Sequence, residues 1–286
     1  MAAGFSHILI PVDFSVNTEV AVARAVDLVQ MGDCRITLLH VQRILLPGMV
    51  QSIHCYVKGY SRQQVNADKQ VLMDKLQTLK RQIEDPYPAL SVRMELIFGE
   101  PVQESIVRCA MTRQADLIII GKKGGARLFP FLHTVVPARV AAASGVAVLT
   151  AKPGSLNNEI RTIVVCINAH SSARKLAMLE ALRRKSKMQV RLVSVEETDQ
   201  DDTDSRQSLF NAFRLLKTHW PYPVAYEVLQ GNNKARTLLR YCNKVGADML
   251  IVNSGAETTV SGWTQQQISD LLPASSRTQV LALQPA

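Results

Sequence analysis

The sequence predicts an α/β protein made of two tandem domains, each an open, parallel, five-stranded sandwich. Three observations point there: an ordered internal repeat, short apolar runs alternating with helix-period stretches, and a linker-like segment midway along the chain. His7-Ile-Leu-Ile-Pro-Val-Asp13 resembles Thr162-Ile-Val-Val-Cys-Ile-Asn168 at an offset of 155, and Ile36-Thr-Leu-Leu-His-Val41 resembles Val190-Arg-Leu-Val-Ser-Val195 at 154. Gly99 matches Gly231, Ala115-Asp-Leu-Ile-Ile-Ile-Gly121 matches Ala247-Asp-Met-Leu-Ile-Val-Asn253, and Val148-Leu-Thr-Ala-Lys-Pro153 matches Val280-Leu-Ala-Leu-Gln-Pro285, all at 132. Segments recurring in one order mark a duplicated unit. The drop in offset places about 22 extra residues between Val41 and Gly99 of the first copy.

Residues 7–13 open the first copy as a near-continuous apolar run, the pattern of a strand buried on both faces of a parallel sheet. Asn17 is placed to cap a helix whose inner face carries Ala21, Ala25 and Leu28. Residues 36–41 form the second strand, and Leu72, Leu76, Leu79 and Ile83 then repeat at helix spacing. Residues 91–98 are the third strand. Pro101 suits a first helical turn, where its missing N–H costs nothing, and Ile106, Val107 and Ala110 give that helix its packed face. Strands follow at 116–120 and 146–151, with a helix expected around 133–143. The second copy repeats the series, with strands near 161–167, 189–195, 223–229, 248–252 and 279–283. Its helices are expected near 171–184, 205–218, 233–245 and 262–271. Residues 153–158, rich in Pro, Gly, Ser and Asn, divide a first domain over 1–152 from a second over 159–286. Alternation at this spacing implies right-handed parallel crossovers.

Composition narrows the function classes. Hydrophobic residues are 47% and charged residues 20%, which suits a globular chain with a sizeable core. No apolar run approaches the roughly 18 residues of a membrane span, and no leader pattern precedes the first strand. A cytoplasmic protein without membrane contact is therefore expected. The net charge of +9 divides into +4 up to residue 150 and +5 beyond it. Charge spread evenly, with aromatics at 5%, argues against a nucleic-acid surface. The five cysteines form no Cys-x-x-Cys pair, so neither a disulfide framework nor a zinc site is expected.

Ligands of open parallel sheets bind beyond the carboxyl ends of strands, where strand order reverses. Asp13, His40-Val41 and Gly121-Lys-Lys-Gly-Gly125 fall at such ends. Glycines let backbone N–H groups approach an anion, and Lys122, Lys123 and Arg127 add positive charge nearby. A tight strand-to-helix turn explains the same glycines without any ligand. The segment is neither a Walker loop nor a dinucleotide turn, and neither Gly-x-Ser-x-Gly nor His-Glu-x-x-His occurs anywhere.

Ile8-Leu-Ile-Pro-Val-Asp-Phe-Ser15, Leu39-His-Val41, Gly99-Glu-Pro101, Ala115-Asp-Leu-Ile-Ile-Ile-Gly121 and Val146-Ala-Val-Leu149 together resemble the universal stress protein family, in a tandem form covering nearly the whole chain. The resemblance implies a Rossmann-like sandwich of the adenine nucleotide α-hydrolase type. It also implies pairing of domains through their last strands and a homodimer of the pseudo-dimeric chains, with a protein partner as a further candidate. Some members bind ATP through Gly, two spacers, Gly, nine spacers, then Gly and Ser/Thr. Here Gly121 and Gly124 match the first two glycines, with Gly125 beside them, but Thr134 and Val135 stand where Gly and Ser/Thr belong. Asp13 matches the acid at the adenosine part, and Val41 a position near the adenine. The second copy has Asn168 for the acid, Asn253 and Ala256 for the glycines, and Gln266-Gln267 for the last pair. The resemblance thus implies a sensor or adaptor in the stress response, with ATP and its Mg²⁺ as the candidate ligand of the first copy alone. Its rivals are a non-nucleotide interaction module and a slow ATP hydrolase using water near Asp13. No general base or nucleophile for turnover stands out. The insertion over 43–65 is apolar for a loop and is expected to cover either the crevice or an interface.

Overall fold

The structure is a computed structural model that describes residues 4–29, 34–42, 62–99, 101–122, 135–156, 158–169, 172–183, 187–196, 202–260 and 266–285. The first half runs β1 (His7–Val12), α1 (Val16–Leu28), β2 (Arg35–Gln42), α2 (Arg62–Glu84), β3 (Ser91–Phe98), α3 (Val102–Thr112), β4 (Leu117–Gly121), α4 (Pro137–Ser144) and β5 (Ala147–Ala151). A 3-10 turn at Pro153–Ser155 leads to the second half. That half begins with β6 (Thr162–Cys166), α5 (Ser172–Leu182), β7 (Gln189–Glu196), α6 (Thr203–His219), β8 (Val224–Gln230), α7 (Lys234–Val245) and β9 (Met249–Asn253). It ends with β10 (Thr259–Val260), β11 (Gln266–Gln267), α8 (Ile268–Leu271) and β12 (Gln279–Leu283).

The ten long strands form one sheet in the order β3-β2-β1-β4-β5-β12-β9-β6-β7-β8. Each half is parallel within itself, and the two orders mirror each other about the centre. There β5 and β12 pair antiparallel, with Val148 opposite Ala282, Leu149 opposite Leu281 and Thr150 opposite Val280. Left alone, each would present a row of unpaired backbone groups; together they close the junction as the resemblance implied. Alternate side chains of each strand reach opposite faces. Ile8, Ile10 and Val12 therefore join a core that runs unbroken under α1, α2, α5 and α6 of both halves. Leu9 joins α3 and α4 on the other face, and Val164 and Cys166 join α7 and α8. A fully buried Arg24 on α1 ties the halves further, its guanidinium donating to the Ser155 and Asn158 carbonyls of the connecting segment.

The repeated Ala-Asp before β4 and β9 has a structural purpose in both copies. Asp116 accepts from the Ser6 N–H at 2.7 Å and the Ser6 hydroxyl at 2.8 Å, while its own N–H donates to His7. Asp248 likewise accepts from the Arg161 and Thr162 N–H groups at 3.0 and 2.8 Å, and donates to Thr162. Each carboxylate satisfies the backbone donors where its neighbouring strand begins.

Three sequence expectations are corrected. The N-cap of α1 is Ser15, whose hydroxyl accepts from the Asn17 N–H, so Asn17 lies inside the first turn. The helix expected from about 133 begins at Pro137, with proline in its first turn and Gly145 in left-handed backbone closing it. Of the helix expected over 262–271, residues 262–265 lie outside the described residues, and the rest is β11, paired antiparallel with β10, followed by the single turn of α8. Thr258, Thr259 and Val260 are β-branched and favour extended backbone, and Pro273 holds Leu272 extended at φ −69° and ψ 125°, which stops the turn. The 43–61 part of the insertion lies outside the described residues, and α2 begins at Arg62. Among the described residues, no helix is long and apolar enough to cross a membrane.

Candidate functional site

In the first half, strand order reverses between β1 and β4, and Asp13 and Gly121 sit at their carboxyl ends. The first turn of α1 brings the two together. Asp13 is exposed, and its Oδ1 accepts from the Ser15 N–H at 3.0 Å, the Ser15 hydroxyl at 2.6 Å and the Thr18 hydroxyl at 2.8 Å. Asn17 Nδ2 donates to Oδ2 at 3.2 Å. Partial desolvation pushes the Asp13 pKa up, but the donors from Ser15, Thr18 and Asn17 outweigh it and hold the acid below its ordinary value. Asp13 is thus an ionised, oriented acceptor, and Oδ2 has lone-pair capacity left for a ligand hydroxyl.

Gly121 ends β4 directly against the same turn. A Cβ at Gly121 would lie 1.7 Å from the Asn17 carbonyl oxygen, so the glycine admits the α1 backbone to the strand. Packing is one sufficient reason for it, a reason invisible in the sequence. Val41 lies one residue past the Val12–His40 register pair and packs, half-buried, on the α3–α4 face. His40 points to the opposite face, where Nδ1 donates to the Val12 carbonyl at 2.7 Å and the ring lies 4.7 Å from that of Phe14. Its role is local support of the β1 end. Gly124, Gly125, Thr134, Lys123 and Arg127 lie outside the described residues. Lys122, expected as phosphate-side charge, pairs with Asp270 of α8 in the second half.

The equivalent crevice of the second half is filled from within. Glu257, 95% or more buried, accepts from Lys175 Nζ at 2.8 Å on Oε2 and 3.1 Å on Oε1. Asn168 Nδ2 donates to Oε1 at 2.6 Å, and the Asn253 N–H to Oε2 at 2.7 Å. Lys175 also donates to the Cys166 carbonyl at 2.6 Å. Asn168 replaces the first copy's acid, and its side chain serves the internal carboxylate, whereas Asn253, in place of the glycine, contributes a backbone N–H. Sequence reasoning missed Glu257 and Lys175. The signal was present: Lys175 stands 155 residues after the buried Val20, and Glu257 stands 132 after Gly125.

Among the described residues, Cys34, Cys109, Cys166 and Cys242 are free and buried. Burial raises all four thiols, Cys34 and Cys109 to about 11 and Cys242 to about 12, so they are core residues with little thiolate character. Among the described residues, no three His, Cys, Asp or Glu side chains converge in a way that would hold a metal ion.

Residues 4–152 match the sequence profile of the universal stress protein family. No curated protein matches the chain. Among solved structures, a universal stress protein from Archaeoglobus fulgidus DSM 4304 aligns over 98% of this chain and 96% of its own, at 14% identity and a TM-score of 0.68. A functionally unknown protein from Pseudomonas aeruginosa PAO1 aligns over 98% and 93%, at 14% identity and a TM-score of 0.56. The cytoplasmic domain of a prokaryotic cation chloride cotransporter aligns over 98% and 95%, at 12% identity and a TM-score of 0.56. At such identities the likeness is one of fold, and a fold hosts many functions.

Proposed function

Because this chain belongs to the universal stress protein family, we propose that it is a cytoplasmic sensor or adaptor that takes an adenine nucleotide in its first domain alone. The observation that carries the reading is the contrast between the two crevices. The first presents an oriented, exposed carboxylate at Asp13, whereas the second is closed by its own Glu257. In this reading Asp13 Oδ2 accepts from a ribose hydroxyl and Val41 lies against the adenine. Gly121, Gly124, Gly125 and Thr134 are its proposed phosphate-side residues. Mg²⁺ enters on those phosphates.

The output is occupancy coupled to shape, with no turnover. β4 continues into Lys122, which pairs with Asp270, and β5 continues into Lys152, which donates to the Ser269 carbonyl at 2.6 Å. A change at the end of β4 is therefore felt at the junction of the two halves. Association of whole chains is part of the proposal. It uses a face other than the last strands, which already pair within the chain.

Equilibrium dialysis at saturating ATP is expected to approach one molecule per chain. Asp13→Ala is expected to weaken binding roughly tenfold, as for a lost hydrogen bond to a charged group, with the fold retained. Two equivalent sites per chain contradict the reading. No binding at millimolar ATP overturns it in favour of the interaction module.

A further inference from the structure

The Glu257 cluster carries a meaning beyond closure of a pocket. The carboxylate meets donors on both oxygens: a lysine ammonium, a side-chain amide and a backbone N–H at the end of β9. Two donors per oxygen, drawn from three separate elements, is the arrangement of an anion-binding site. Lys175 is fully buried, and the repeat places it where the first copy has an apolar Val20. A buried ammonium is costly unless paired and hydrogen-bonded, so the lysine requires an anion there.

We infer that the second domain is an anion site, for a small carboxylate or other oxyanion, whose ligand is the chain's own Glu257. The site is permanently liganded and so holds one shape. That shape reaches the first domain. Glu257 is followed by β10, β10 pairs with β11, and β11 runs into α8, whose Ser269 and Asp270 meet Lys152 and Lys122. The second copy thus serves as a fixed abutment for the β4 and β5 ends of the first. The inference needs no nucleotide, and its test reads none, so failure of the nucleotide reading leaves it standing.

Glu257→Ala removes the tethered carboxylate and keeps the donors. It is expected to lower Tm by about 10 °C, as when one partner of a buried pair is lost. Sodium formate or inorganic phosphate, compared with chloride at equal ionic strength, is then expected to raise the variant's Tm by about 3 °C as the free anion enters the cradle. The natural chain should show no such difference between anions. The double variant Lys175→Met with Glu257→Ala should lose the response, because no charge remains to be met. Should Glu257→Ala not fold in chloride, the same comparison is made on refolding yield, with formate or phosphate restoring it. A variant that responds to formate and phosphate no more than to chloride, or one as stable as the natural chain, overturns the inference.

Discussion

Gly121→Ala is expected to destabilise the first domain by at least about 3 kcal/mol, a Tm loss of about 8 °C. The added Cβ would stand 1.7 Å from the Asn17 carbonyl oxygen and 2.6 Å from its carbon. Both are backbone atoms, so no side-chain rotation relieves the overlap. Relief requires α1 to move off β4, and the start of α1 is held by the Ser15 cap and the donors to Asp13. Overpacking within an adaptable core costs about 1–3 kcal/mol; a clash with fixed backbone lies at or beyond the upper end. Gly246→Ala is the control. That glycine has φ +62° but open space around its Cβ position, so only backbone strain of about 1 kcal/mol is added. Urea denaturation of both variants checks the comparison, and a loss below about 1 kcal/mol for Gly121→Ala would sink it. The same geometry bears on function. A shifted α1 turn also shifts Asp13, so weaker ATP binding in this variant would not identify a phosphate contact.

Lys152→Met is expected to abolish a pH-dependent part of stability worth about 3 kcal/mol. Lys152 is fully buried at the junction, with its ammonium on the Ser269 carbonyl. Burial, and after it the Lys122 charge, lower its pKa from 10.5 to about 8 against the opposing pull of Asp270. Between those values the unfolded chain holds a proton that the folded chain has released. Stability therefore rises as pH climbs from about 8 to 10.5 and is lost again on the way down. Below about 8 the folded chain carries the buried charge at full cost. Urea curves at pH 7.5, 9 and 10.5 should show the natural chain gaining on Lys152→Met by about 3 kcal/mol across the range, since all other titrations cancel in the difference. A flat difference would refute the assignment. The gain should also depend on the second domain, because Asp270 and Ser269 come from α8.

The sequence by itself determined the duplication, the alternation of strands and helices, and the strand ends at Asp13 and Gly121. These are short-range properties: apolar runs, helix spacing, and offsets counted along the chain. α7 at Lys234–Val245 and β8 at Val224–Gln230 fall within a residue of where spacing put them, because local pattern and tertiary demand agree there. The 262–271 segment went the other way. In its described part the helical reading lost to the pairing of Gln266–Gln267 with the β-branched Thr259–Val260 on one side and to Pro273 on the other. Tertiary structure alone decided what the repeated residues do. Asp116 and Asp248 are, along the sequence, only matching positions of the repeat, yet each ties the start of a strand more than 80 positions away. Gly121 looks like a ligand glycine, yet its missing Cβ is occupied by the Asn17 carbonyl. Lys175 and Glu257, 82 positions apart, look unrelated until the β6 and β9 ends are side by side. Periodicity records which face of an element is buried. It does not record which charge meets which across a crevice, because that depends on the order of strands in the sheet, and strand order is set by packing of the whole chain.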